Sequence, residues 1–288
     1  MRWAWPTGYW FLLAAGSQTP AMAQAQPAPP VLCGSTPGPT SSGPPQIVTA
    51  ILDDQTLRLA DGGTVRLAAI LAPARVEGAP AQPTAADAVK QLALGQTAQV
   101  LRVGPGRDRH GHQVGHVVVV RSGQSPVWLQ DRLVADGLAR VASTADTAAC
   151  LPQLLSREDE ARRARRGLWA MPAFAVRSAW RSWELRRERH TFQIVAGRVR
   201  SVETVAGGAT RLRLARQGPD AFSLLLARAD AEPFTARKLS LASLQGRLLR
   251  VRGWIEVWGG RPAGDDGRRT PAAPVVRLTH PEPIEVLP

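Results

Sequence analysis

Tyrosine and lysine are almost missing from this chain of 288 residues: it has one tyrosine, and its lysines are Lys90 and Lys238. Methionine (3), cysteine (2) and phenylalanine (5) are also scarce. Two cysteines, Cys33 and Cys150, permit one disulfide and exclude a scaffold stapled by several. A membrane-spanning helix needs about 20 apolar residues, and Trp10 to Ala15 (WFLLAA) is far shorter. No short repeat is visible. Negative charge is also in deficit, with 23 Asp plus Glu against 36 Lys plus Arg, a net charge of +13 and a pI near 11.4. Nearly all of that positive charge is arginine, whose planar fork suits phosphate oxygens. A polyanion partner is one reading of this charge. An indifferent basic surface set by codon composition is the other.

Hydrophobic residues make up 44% of the chain, enough for a packed core, alongside 26 Gly, 24 Pro and 9 Trp. The first 23 residues read as a signal peptide. Arg2 supplies the positive end, Trp10 to Ala15 the apolar stretch, and Ala21-Met22-Ala23 a small-x-small cleavage site. Leu32, just before Cys33, is too bulky for lipoprotein cleavage. Residues 24–45 are rich in Pro, Gly, Ser and Thr and read as a linker. The expected mature protein is secreted or periplasmic, with no membrane span. An oxidising compartment favours a Cys33–Cys150 disulfide, with two free thiols as the alternative.

Ordered sequence starts at Gln46. Ile47–Leu59 and Gly63–Ile70 are β-like and joined at Asp61-Gly62-Gly63, a hairpin signal. Pro83–Leu94 reads as a helix with Thr84 as N-cap and Gly95 as its stop. Thr97–Val103 and Gln113–Val120 read as strands around a charged, Gly-rich turn. Val127–Gly137 and Leu151–Gly167 read as amphipathic helices, the second burying Leu154, Leu155, Ala161 and Leu168 and exposing Arg162, Arg163, Arg165 and Arg166. Residues 171–190 form a connector dense in Arg and Trp, including Trp180 and Trp183. Beyond it, Phe192–Val205, Thr210–Ala215 and Ala221–Ala227 read as strands, Asp230–Leu241 as a helix, and Arg247–Trp258 and Val275–Leu287 as strands. Gly259–Ala273 is a loop. Three strands, a helix and two strands is the order of an OB-type barrel.

Four stretches in register carry a family likeness: Val48–Leu59 (VTAILDDQTLRL), Val65–Pro73 (VRLAAILAP), Asp108–Val119 (DRHGHQVGHVVV), and Leu129–Ala139 with Glu158–Trp169. Together, from about Gln46 to Trp169, they resemble the staphylococcal-nuclease-like, or thermonuclease, family. The resemblance implies an α+β, mainly β chain. Residues 46–170 would be an OB-fold barrel with C-terminal helices, and residues 191–288 a second OB-like barrel such as some bacterial members carry.

In that family two carboxylates and a backbone carbonyl hold Ca²⁺, which favours hard oxygen ligands. A glutamate activates water and two arginines clamp the phosphate. Carried over residue by residue, the resemblance puts Gln55 and Leu71 at the metal carboxylates, Ala74 at the glutamate, and Arg66 and His112 at the clamp arginines. Only Arg66 matches. Asp53 matches the first acidic residue of the motif, and Asp54 replaces its glycine. A one-residue slip would put Asp54 at the metal, and Glu77 would have to replace the missing glutamate. His110, His112 and His116 fall on even positions beside Asp108 and are candidates for a Zn²⁺ site. The plainer reading is surface turn histidines. No cofactor is expected.

In the second unit Arg198, Arg200, Arg211, Arg213, Arg247, Arg250 and Arg252 alternate along strands, with Trp254 and Trp258 nearby. Such a face fits a nucleic-acid groove. It fits equally a solvated face whose arginine stems cover apolar surface. The candidate contacts are Arg66, Arg198, Arg200, Arg250, Arg252 and Trp254. The leading expectation is an exported protein with a degraded nuclease site, binding a polyanion weakly and without sequence preference, or serving an envelope protein as scaffold. The alternatives are an active exported phosphodiesterase with a rebuilt metal site, and a purely structural interaction protein.

Overall fold

Apolar residues that alternate along Val48, Leu57, Leu59, Val65 and Leu67 need an interior to face, and a closed barrel supplies one without leaving sheet edges. The computed structural model describes residues 1, 33, 40–41, 43–73, 83–216, 218–259 and 272–288. The signal peptide after Met1, most of the 24–45 linker, Ala74, Glu77 and residues 260–271 lie outside the described residues.

The first half runs β1 (Thr40–Ser41), β2 (Gln46–Ile51), β3 (Thr56–Leu59), β4 (Thr64–Leu67), β5 (Ile70–Leu71), α1 (Ala85–Ala93), β6 (Thr97–Arg107), β7 (Gln113–Val120), β8 (Val127–Trp128), α2 (Leu129–Ala135), β9 (Arg140–Val141) and α3 (Leu151–Arg163). The sheet path β6-β2-β3-β4-β7 closes because β6 and β7 also pair, and β4 runs parallel to β7. The run expected as one strand from Ile47 to Leu59 divides at Leu52–Gln55. Leu52 N–H donates to Thr56 O at 2.8 Å, and the Asp53 carboxylate accepts from Gln55 N–H at 2.7 Å. Consecutive polar residues that can bond their own backbone favour this turn over a continuous strand.

Thr84 caps α1 as its sequence suggests: it accepts from Asp87 N–H, and the Asp87 carboxylate answers Thr84 N–H. Along α3, Leu154, Glu158 and Ala161 share a buried face. Arg162 is half-buried against the Trp169 ring rather than directed outward, and it pairs with Asp159. Gly137 and Gly167 both hold positive φ where their backbones touch, and a Cβ on either would strike the other segment's backbone. This contact fixes the chain after α2 against the end of α3. Cys33 and Cys150 form a disulfide with Cα atoms 4.7 Å apart, fastening the leader to the start of α3.

The second half comprises β10 (Arg177–Ser178), α4 (Ser182–Arg187), β11 (Phe192–Thr204), β12 (Thr210–Leu214), β13 (Ser223–Leu226), α5 (Glu232–Ala236), β14 (Leu248–Trp254), β15 (Glu256–Trp258), β16 (Ala273–Leu278) and β17 (Ile284–Leu287). β11, β12 and β13 pair in turn, β13 runs parallel to β16, β15 pairs with β16, and β14 returns to β11. Taking β14 and β15 as one bent strand, the circuit repeats that of the first barrel. The expected helix at 230–241 contracts to α5, which ends before Lys238 takes a positive φ. The expected last strand divides into β16 and β17, because Pro281 and Pro283 lack the N–H that a ladder needs. The expected connector is folded as well: β10 pairs with β11, and Ala179 and Leu185 are buried. Among the described residues no helix is long and apolar enough to cross a membrane.

A seam joins the barrels. Ala161 and Trp169 pack with Phe192 and Ile194, and Leu71, Ala142 and Val176 lean on that cluster. Arg140 lies 5.1 Å from the Phe174 and Phe192 ring centres and donates to Phe192 O at 2.9 Å. Arg252 crosses from β14 to donate to Glu158 at 2.8 Å, Val141 O at 3.0 Å and Glu285 at 2.5 Å.

Candidate functional site

The hairpin β3–β4 places Arg66 opposite Thr56, directly after Gln55. Gln55 is held twice: Leu67 N–H donates to its backbone oxygen at 2.8 Å, and its amide donates to Ala72 O at 3.3 Å. Its Oε1 is buried without a partner among the described residues. Asp54 points instead to the start of α1, where one of its carboxylate oxygens accepts from Ala86 N–H at 3.0 Å. Asp53 is engaged in the turn.

Arg66 faces Asp108 at 3.8 Å, and its side chain is 40% exposed. Asp108 belongs to the turn before β7, closed by Gly111 N–H onto Asp108 O at 2.9 Å. Burial alone would raise the Asp108 carboxyl. The His110 and His112 N–H groups that it accepts outweigh this and hold it below the ordinary carboxylate range. The His112 Nδ1 shares a 2.7 Å hydrogen bond with the Thr64 hydroxyl and so braces the hairpin to this turn.

The three histidines do not converge. His110 and His112 stand with ring centres 6.2 Å apart, but His116 lies in the core, edge-on to Trp128 at 5.2 Å. Burial pushes the His116 imidazole down to about 4, so it is neutral at pH 7. It is neither a turn histidine nor a partner of the other two. Among the described residues no group of three or more His, Cys, Asp or Glu side chains is placed to hold a metal ion.

The Ca²⁺ of the family does not fit these residues. A hard dication takes six to eight oxygens, carboxylates among them. Here the first position offers one neutral amide oxygen, and the neighbouring aspartates are committed to backbone N–H groups. Leu71, paired in register with Arg140, offers no side-chain oxygen and packs against the seam.

Two of the expected phosphate contacts, Arg250 and Arg252, have another occupation. Arg252 is 1% exposed, and Arg250 bonds Asp159 at 2.9 Å and Glu285 at 3.2 Å. Burial opposes the Arg252 charge, but Glu158 and Glu285 more than compensate. These arginines hold the barrels together. Arg211 and Arg213 pair with Glu203, and Arg211 also covers the Trp258 ring at 4.0 Å. Arg198 and Arg200 remain on the surface and donate to Gly246 O and Ala215 O. Sequence reasoning missed Glu158 as the anchor of the seam. The available signal was a carboxylate on the same helical face as Leu154 and Ala161.

Docking brings together two candidates from different barrels. Arg66 and Trp254 line one cleft of about 520 Å³, with Asp108, Glu256, Arg277 and His280 on its walls. Trp254 is 55% exposed and meets Phe192 edge-on at 6.0 Å. Burial lowers the His280 imidazole, against the opposing pull of Glu282.

The family described as Staphylococcal nuclease homologue matches residues 64–171, from β4 through the helices to the Gly167–Trp169 turn. The match leaves out β2, β3 and the whole second barrel. No curated protein matches the chain. The barrel circuit and the trailing helices agree with this match: residues 64–171 carry a staphylococcal-nuclease-like region, which β2 and β3 complete as a closed barrel.

Proposed function

We propose that this is an exported protein whose nuclease-like barrel binds nucleic acid or a similar polyanion without metal-dependent hydrolysis. The observation that carries this reading is position 71. Where the resemblance puts the second metal carboxylate, this chain has a half-buried leucine packed against the seam with the second barrel. Gln55 supplies no charge to compensate, and Arg66 alone keeps the chemistry of a phosphate contact. Export is supported by the Arg2 and WFLLAA leader and by the disulfide, which suits an oxidising compartment.

The test is the mature protein with single-stranded and duplex DNA and RNA, in Ca²⁺ or EDTA. The expected result is no metal-dependent cleavage and no shift of Tm in millimolar Ca²⁺. Binding should be salt-sensitive, log affinity falling with log salt by about 0.7 to 0.9 per phosphate neutralised. Cleavage abolished both by EDTA and by Arg66→Ala overturns the reading and favours a rebuilt phosphodiesterase site. Absence of binding at low salt turns it toward a scaffold for an envelope protein.

A further inference from the structure

The polyanion-binding reading leaves open where a ligand sits and which form of nucleic acid it is. We infer that the inter-barrel cleft takes unpaired strand, with a base stacked on Trp254 and a neighbouring phosphate on Arg66. This rests on the reading above and adds to it a site and a strand preference.

The second barrel supplies what the first lacks. Trp254 ends β14 at the mouth of the cleft, and its edge-on contact with Phe192 fixes the ring while more than half of the residue stays open. A large aromatic exposed to this degree contributes little to the fold and is suited to stacking. Arg66, on the opposite barrel, reaches Asp108 only at 3.8 Å, beyond hydrogen-bond distance, so its donors remain available. The other arginines of the cleft are already matched. Arg277 takes Glu256 at 2.5 Å, and Arg252 is neutralised by Glu158 and Glu285. Arg66 is therefore the cleft cation with the loosest partner.

Strand preference follows from what each nucleic acid exposes. A duplex stacks its bases on each other and offers groove edges and phosphates. A single strand offers π faces, and stacking on an aromatic is tolerant of sequence. A cleft of about 520 Å³ is of the size that takes small ligands, so it accommodates splayed bases and not a helix. Among the described residues, the other exposed tryptophans are less suited. Trp180 already has the Arg216 guanidinium 5.9 Å from its ring centre, and neither Trp180 nor Trp183 lines this cleft.

Fluorescence anisotropy with a labelled oligothymidine and a hairpin duplex of equal charge, at low salt, tests the inference. The single strand should bind more tightly. Replacing Trp254 by Leu, which keeps an apolar contact with Phe192, should weaken single-strand binding roughly 5- to 100-fold, the range of one lost base stack. Trp254→Phe should retain most of the affinity, and neither change should alter duplex binding. Arg66→Ala should weaken the single strand and lower its salt slope, whereas Arg198→Ala with Arg200→Ala should affect both ligands equally. Equal affinity for the two ligands, or indifference of the single strand to Trp254→Leu, overturns the cleft while leaving polyanion binding intact. If neither ligand binds the wild type, both readings fall together.

Discussion

The two barrels follow the same strand circuit, and each carries an arginine on a strand next to the seam, yet the two arginines have opposite environments. Arg66 is part-exposed, with one carboxylate at 3.8 Å. Arg252 is buried, with carboxylates from two segments in hydrogen-bond contact. In the first case the surroundings leave the guanidinium available to a ligand. In the second they leave it nothing to do but hold. Residue type and alternation are equal in the two barrels, so the depth of burial and the location of the nearest carboxylate decide which arginine can serve a ligand.

The largest expected effect tests that contrast. Arg252→Met leaves Glu158 buried and unpaired, and should lower stability by about 3–5 kcal/mol in denaturant titration, with part recovered by adding Glu158→Gln. If Arg252→Met costs no more than Arg66→Ala, the contrast between the barrels fails. Next comes the covalent asymmetry, since only the first barrel carries the staple. Removing the Cys33–Cys150 disulfide with two serines should cost about 2–4 kcal/mol, and reductant should lower the Tm of the wild type but not of that variant.

The third effect is a pH dependence that belongs to the first barrel. The His116 imidazole titrates near 4 in the fold and near its ordinary value of about 6.5 when unfolded. On acidification the unfolded state binds the proton first. The stabilisation is complete above pH 6.5 and is lost as pH falls towards 4, by about 3 kcal/mol at most. His116→Leu should flatten that part of the acid slope of stability. His280, lowered in the same sense at the seam, is retained in the variant, so the difference between slopes isolates His116. The smallest effect sharpens the comparison from the other side: Arg66→Ala should change stability by no more than about 0.5 kcal/mol.

Much of the fold was legible because it rests on short-range signals. Alternation gave most of the strands, Thr84 the start of α1, and Asp61-Gly62-Gly63 its hairpin. The errors fell where a local residue overrode a pattern: the turn through Asp53 and Asp54, and the break at Pro281 and Pro283. The sequence alone shows the residues at the candidate positions, among them Gln55 and Leu71. It does not show what covers Leu71. Phe192 and Ile194 arrive from a distant segment, and no periodicity within either stretch encodes their meeting. The fate of Arg252 was hidden for the same reason, because its partners Glu158 and Val141 O lie in the other barrel.

The packing of Leu71 bears on what this surface can become. An aspartate there would lie beside the apolar cluster of Ala161, Trp169, Phe192 and Ile194 and would lose part of its hydration. Arg140, its neighbour in register, is already committed to Phe192 O and the two aromatic rings. A single reversion at this position therefore costs some packing at the seam before it gains any chemistry. The docked barrel thus ties position 71 to the junction, so that a return to a carboxylate there alters the seam as well as the site.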